Sequence, residues 1–122
     1  MISLVDLLFE ETRAYRGMSV AGSPVITVVG SLVFAGQSVR GIPLYTIVKN
    51  KLFSGTAVAG KPLATLSGDL VFRGNTVSGM PMARLKKTFS LRGAATNGTP
   101  VVTVPSGDVQ TLFAATYHAL RD

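Results

Sequence analysis

Five tandem 19-residue β repeats flanked by short N- and C-terminal α-helices make up the mainly β fold that the sequence predicts. Three observations carry this. Glycine stands at Gly17, Gly36, Gly55, Gly74 and Gly93, each 19 residues after the last. A second glycine follows at Gly22, Gly41, Gly60, Gly79 and Gly98, and a proline at Pro24, Pro43, Pro62, Pro81 and Pro100. Between these frames run short apolar, β-branched and aromatic segments, the composition of strands punctuated by turns. Tandem units of this kind bury jointly what one unit cannot bury alone. The boundaries that follow are 1–16 for an N-terminal helix or anchor, 17–108 for the five-repeat β domain and 109–122 for a C-terminal helix.

At the N-terminus, Ser3 followed by Asp6 makes a capping-box start, and Leu4, Val5, Leu8 and Phe9 form a helical apolar stripe, so a helix is expected from about Leu4 to Arg13. Acidic Asp6, Glu10 and Glu11 stand where a targeting peptide would carry basic residues. Within each repeat the apolar runs Leu32-Val33-Phe34, Leu52-Phe53, Leu70-Val71-Phe72 and Phe89-Ser90-Leu91 read as first strands. The turn is x-G-x-P. Its glycine takes a positive φ, and its proline, lacking an N–H, sits at the start of the second strand or on an edge. The first glycine of each unit is expected inside the first strand. It marks there either a bulge, which would return Val77 to the face of Leu70 and Phe72, or a close approach of neighbouring backbone.

Two architectures fit these units. In a β-solenoid each unit is one coil, and in a β-meander each is a hairpin, so that ten strands can close into a barrel. A 19-residue step without insertion favours the solenoid, because hairpin loops tolerate length changes. After Pro105, Ser106, Gly107 and Asp108, the residues Val109, Leu112, Phe113, Thr116 and Leu120 recur at helical spacing. This second helix is expected to cap the stack or to dock on a neighbouring subunit.

Of 122 residues 47% are hydrophobic and only 15% charged, a balance that points to apolar surface shared between chains, or to strands buried on both faces. The stretch from Gly17 to Val39 lacks charge, but its glycines, proline and serines belong to the repeat, and no membrane span is read there. Without cysteine the chain offers neither disulfide nor thiolate metal site. Its one histidine, His118, is expected to face solvent or a cap. The six acidic residues form no pair at repeat spacing, so no enzyme, metal or cofactor is expected. Gly55 to Lys61 approximates a phosphate loop, but Pro62 replaces the hydroxyl that such a loop requires.

The net charge is +6. Arg73, Arg84, Lys86, Lys87 and Arg92 fall in succession with no acidic residue between them. Stacking would set Arg73 beside Arg92, a strip suited to a polyanion such as nucleic acid or to an acidic partner surface, or else a solvated edge guarded by positive charge.

The V-x-G-x-P units joined by L-V-F strands over residues 17–108 resemble the glycine-rich β repeats of tailed-phage virion proteins, such as head decoration proteins, head fibres and tail spikes. Thr76-Val77-Ser78-Gly79-Met80-Pro81-Met82-Ala83-Arg84 is also similar to units of PAAR spike tips, without the histidine and cysteine set that holds a metal there. A third resemblance is to bactofilins, cytoskeletal β-solenoids that polymerise end to end. The first resemblance implies a non-enzymatic structural protein decorating or projecting from a capsid or tail. It would be a homo-oligomer, a trimer among the options, assembled with other virion proteins in the host cytoplasm. The alternatives are a polyanion-binding module and a polymerising cytoskeletal solenoid.

Overall fold

A computed structural model describes residues 11–121. The strands are β1 (Glu11–Arg16), β2 (Ile26–Val29), β3 (Leu32–Ala35), β4 (Tyr45–Val48), β5 (Lys51–Ser54), β6 (Ala64–Ser67), β7 (Leu70–Arg73), β8 (Ala83–Leu85), β9 (Ser90–Arg92) and β10 (Val102–Thr103). They are followed by one helix, α1 (Val109–Leu120). All strand pairs are antiparallel, in the order β10-β1-β2-β3-β4-β5-β6-β7-β8-β9. The two ends of that order nearly meet. The Val101 N–H donates to the Ser90 carbonyl at 2.8 Å, the Val104 N–H donates to that of Thr88 at 2.6 Å, and Phe89 bridges Thr103. The result is a nearly closed barrel of hairpins, not the coil-on-coil solenoid that the uniform step suggested.

The step is uniform for another reason. Adjacent hairpins must keep the same register for their inward residues to line one lumen. Those residues are columns of the repeat: Ile26, Tyr45, Ala64, Ala83 and Val102 in one, and Ala14, Val33, Leu52, Val71 and Ser90 in another. The tight turns of β2–β3 and β6–β7 begin with Gly30 (φ 63°) and Gly68 (φ 62°), and that of β4–β5 with Lys49 (φ 57°). A positive φ at the first of two turn residues suits the twist of a hairpin.

The segment from the first glycine of each unit through its proline is one eight-residue connection, not strand followed by turn. Gly36, Gly55 and Gly74 follow the last residues of β3, β5 and β7 with φ between 59° and 79°. A Cβ on any of them would meet nothing within 4 Å, so neither a bulge within the strand nor a close approach explains them. They reverse the chain out of the sheet, and Val77, expected back on the core face, is exposed. Further along, Gly22, Gly41, Gly60, Gly79 and Gly98 all have positive φ, and each proline lies two residues ahead of the next strand. In four units the threonine next to the inward column ties the connection to the sheet. Thr27, Thr46, Thr65 and Thr103 donate through Oγ1 to the carbonyls of Gly36, Gly55, Gly74 and Gly17 at 2.6–2.8 Å.

The helix expected over Leu4 to Arg13 lies mostly outside the described residues. Its last part is corrected: Glu11–Arg16 is a strand, paired with β2 on one side and β10 on the other. Arg13-Ala14-Tyr15-Arg16-Gly17 occupies the frame of Leu70-Val71-Phe72-Arg73-Gly74, with Ala14 inward beside Ile26, so the tertiary pairing wins over the local helical pattern.

The C-terminal helix neither caps a stack nor docks outward. Seven consecutive residues, Thr111 to Tyr117, are buried, and α1 touches β1, β2, β4, β8 and β10. A helix buried all round lies within a core, and here that core is the barrel lumen. Ten strands enclose more space than wall side chains can fill. A 12-residue helix about 18 Å long fills it. Small Ala14, Ala64 and Ala83 on the wall and Ala114 and Ala115 on the helix make room for Leu112 and Phe113. Asp108 caps the helix, its Oδ2 accepting from the Thr111 N–H at 2.9 Å and from Thr111 Oγ1 at 2.7 Å. Thr116 Oγ1 donates to the Leu112 carbonyl at 2.6 Å and lies 2.8 Å from Ser90 Oγ, whose hydroxyl donates to it, so the helix is locked to β9 by buried polar groups.

Candidate functional site

The barrel has two unlike ends. At one, the tight hairpin turns surround Asp108 and the start of α1; at the other, five eight-residue connections surround its C-terminus. The long-loop end holds the features that the packing of the fold does not account for.

The first is a crown of exposed aliphatic side chains. Met18, Val20, Val39, Ile42, Val58, Val77 and Met80 all lie in the long connections and are exposed, Ile42 and Met80 by nearly nine-tenths. Four of them, Val20, Val39, Val58 and Val77, share one repeat position. In three units a hydroxyl residue just ahead fixes the local turn. Ser19 Oγ accepts from the Ala21 N–H, Ser38 Oγ from the Arg40 N–H, and Thr76 Oγ1 from the Ser78 N–H, at 3.2–3.4 Å. Val20, Val39 and Val77 are therefore each held at the middle of a small hydrogen-bonded ring. Charge is sparse here, with only Arg40 and Lys61 in the five connections.

The second feature is the barrel mouth inside the crown. A cavity of about 610 Å³ opens there, lined by Arg16, Arg92, Pro100, His118 and Arg121 among others. Arg16, Arg73 and Arg92 share one repeat column, at the mouth-side ends of β1, β7 and β9. The described carboxylates are elsewhere. Asp69 and Asp108 sit at the tight-turn end, and Glu11 begins β1 at that same end.

The sequence-marked cations are thus dispersed. Arg73 donates from Nη1 to the Arg121 carbonyl and from Nη2 to that of Leu120, both at 3.0 Å, closing the carbonyl end of α1. Arg84 pairs with Asp69 at 2.9 Å, an exposed ion pair worth at most about 1 kcal/mol. Lys86 and Lys87 lie in the turn between β8 and β9, at the far end of the barrel. Arg92 alone of the five lines the mouth cavity, and β8 separates it from Arg73. The antiparallel wall brings in Arg16 and Arg121 instead, which sequence reasoning passed over. Arg16 was legible as the counterpart of Arg73 and Arg92, 57 and 76 positions earlier in the same frame.

His118 is neither free in solvent nor a simple cap. Its Nδ1 lies 2.8 Å from Tyr45 Oη and 3.0 Å from Arg121 Nη1. A guanidinium only donates, so Nδ1 acts as the acceptor of that bond. Arg121 Nη1 also donates to the His118 carbonyl. Tyr45 packs edge-on to Tyr117 at 5.7 Å, which fixes the ring that fixes the histidine. Among the described residues no three His, Cys, Asp or Glu side chains are placed to hold a metal, and no helix is long and apolar enough to cross a membrane.

No protein-family model matches the chain, and no curated protein or solved structure matches it.

Proposed function

We propose that this chain is a non-enzymatic structural protein that associates with copies of itself through the long-loop crown. In this reading it decorates or projects from a large assembly of the capsid or tail kind. The crown carries the reading. Four valines at one repeat position, with Met18, Ile42 and Met80, are set out into solvent, and three of the four valines sit in turns fixed by a side-chain hydroxyl. A fold that buries six threonines and fills its lumen with a helix does not need seven aliphatic side chains outside. Apolar surface gathered at one end is the mark of a contact surface.

A second copy is the partner that best fits. The crown loops carry only Arg40 and Lys61, so two like-charged molecules of net +6 meet few opposing charges where the loops themselves touch. The virion setting, assembly in a host cytoplasm and a trimeric state rest on the resemblance of the repeats to phage decoration and fibre proteins. A polymerising cytoskeletal role loses its basis, because it relied on the open coil ends of a solenoid, and the hairpins here form a nearly closed wall.

The test is the mass of the native protein, by light scattering, beside electron micrographs of what it forms. Wild type is expected above the single-chain mass. Val39→Ser, Val58→Ser and Val77→Ser combined are expected to return it to monomer with the thermal midpoint unchanged. A wild-type monomer at all concentrations up to about the millimolar range, where specific contacts become marginal, would sink the proposal.

A further inference from the structure

We infer that the mouth cavity is a binding site for a small multivalent phosphate. The cavity of about 610 Å³ is large enough for a compact ligand. Its cationic groups come from three separate elements: Arg16 from the end of β1, Arg92 from the end of β9, and Arg121 from the residue after α1. Strand β10 lies between β1 and β9, so Arg16 and Arg92 are rooted about 10 Å apart, two strand spacings. Arginine side chains span that gap, so the two forks can hold adjacent phosphoryl groups of one compact ligand.

Arg121 is held to His118, but the charges of Arg16 and Arg92 have no other structural use among the described residues. Neither the Arg16 nor the Arg92 side chain makes a hydrogen bond or ion pair to a described residue, in contrast to those of Arg73, Arg84 and Arg13, which are all engaged. Three like charges held at one opening repel one another, and a bound anion relieves that. The nearest oppositely directed field is the carbonyl end of α1, and Arg73 occupies it through two hydrogen bonds. That leaves the Arg16 and Arg92 guanidinium groups to act outward. Guanidinium forks converging from several directions match tetrahedral oxyanions, which accept from all sides, better than planar carboxylates. A concave opening ringed by loops also suits a small ligand better than a duplex, which needs an extended strip.

Inorganic tripolyphosphate, titrated into the full chain by calorimetry at about 0.1 M salt, is the direct probe. Binding of one tripolyphosphate per chain is expected. The double variant Arg16→Gln, Arg92→Gln should weaken it at least about tenfold, with the fold checked by circular dichroism. Arg84→Gln, on the outer wall, should leave it unchanged. The result that overturns the site is undetectable binding by wild type, or equal binding by the double variant. Tighter binding of citrate would overturn the phosphate class. Binding that appears only when Asp122, the residue after Arg121, is removed would also overturn the inference, by showing that the chain's own carboxylates serve the arginines. Binding of a DNA duplex that tripolyphosphate does not displace would do the same, by placing the polyanion surface elsewhere.

Discussion

Lys49 is the one described residue other than glycine with a positive φ, 57°, at a turn position where the neighbouring hairpins have Gly30 and Gly68. A side chain in the left-handed region costs about 1 kcal/mol relative to glycine. Lys49→Gly is therefore expected to stabilise the barrel by up to about 1 kcal/mol, seen as a higher midpoint in urea. The converse holds at Gly41, whose φ is 87° in open space. Gly41→Ala meets no atom, yet should destabilise by about 1 kcal/mol through the backbone alone. A buried polar pair gives a larger effect. Thr116→Val removes the hydrogen-bond partner of Ser90 Oγ inside the lumen and should cost about 1–3 kcal/mol in equilibrium unfolding, while Thr103→Val, near the barrel surface, should cost less.

The helix is the element on which the rest depends. Phe113 is fully buried within the lumen, and Phe113→Ala should cost about 3–5 kcal/mol, a large share of the stability of a domain this size. Arg73→Ala should be milder, about 1 kcal/mol, since it removes a partly exposed cation from two terminal carbonyls; thermal unfolding of the two variants separates the cases. The strands and the C-terminal helix were legible because alternation, turn glycines and helical spacing are local signals. The destination of the helix was not. Val109, Leu112, Phe113, Thr116 and Leu120 describe one stripe, and the spacing says nothing of Ala114 and Ala115, which are buried on the other side. The alanines were the available clue, since small residues permit approach from every direction. β1 was hidden likewise, because the apolar stripe before it pulled Glu11 to Arg13 into a helix. Tyr15-Arg16-Gly17 matched Phe72-Arg73-Gly74, but the match was outside the boundary drawn at Gly17.

At the level of the whole molecule, one sequence period sets two surfaces with opposite duties. Columns with alternating positions turn inward to hold the helix, and the eight-residue connections set their valines outward. Solenoid and barrel share the same period, because either geometry demands equal unit lengths. Only pairing direction separates them, and a column of residues does not encode it. The arginine site was half-legible for the same reason: a stacked solenoid and a hairpin wall carry Arg16, Arg73 and Arg92 to different neighbours.

Self-association through the crown is decided by native mass measured across a concentration series. Wild type is expected to run at a multiple of the single-chain mass, and Val39→Ser, Val58→Ser and Val77→Ser together are expected to give a folded monomer. A wild-type protein that stays monomeric throughout, or a triple variant that assembles as wild type does, would contradict it.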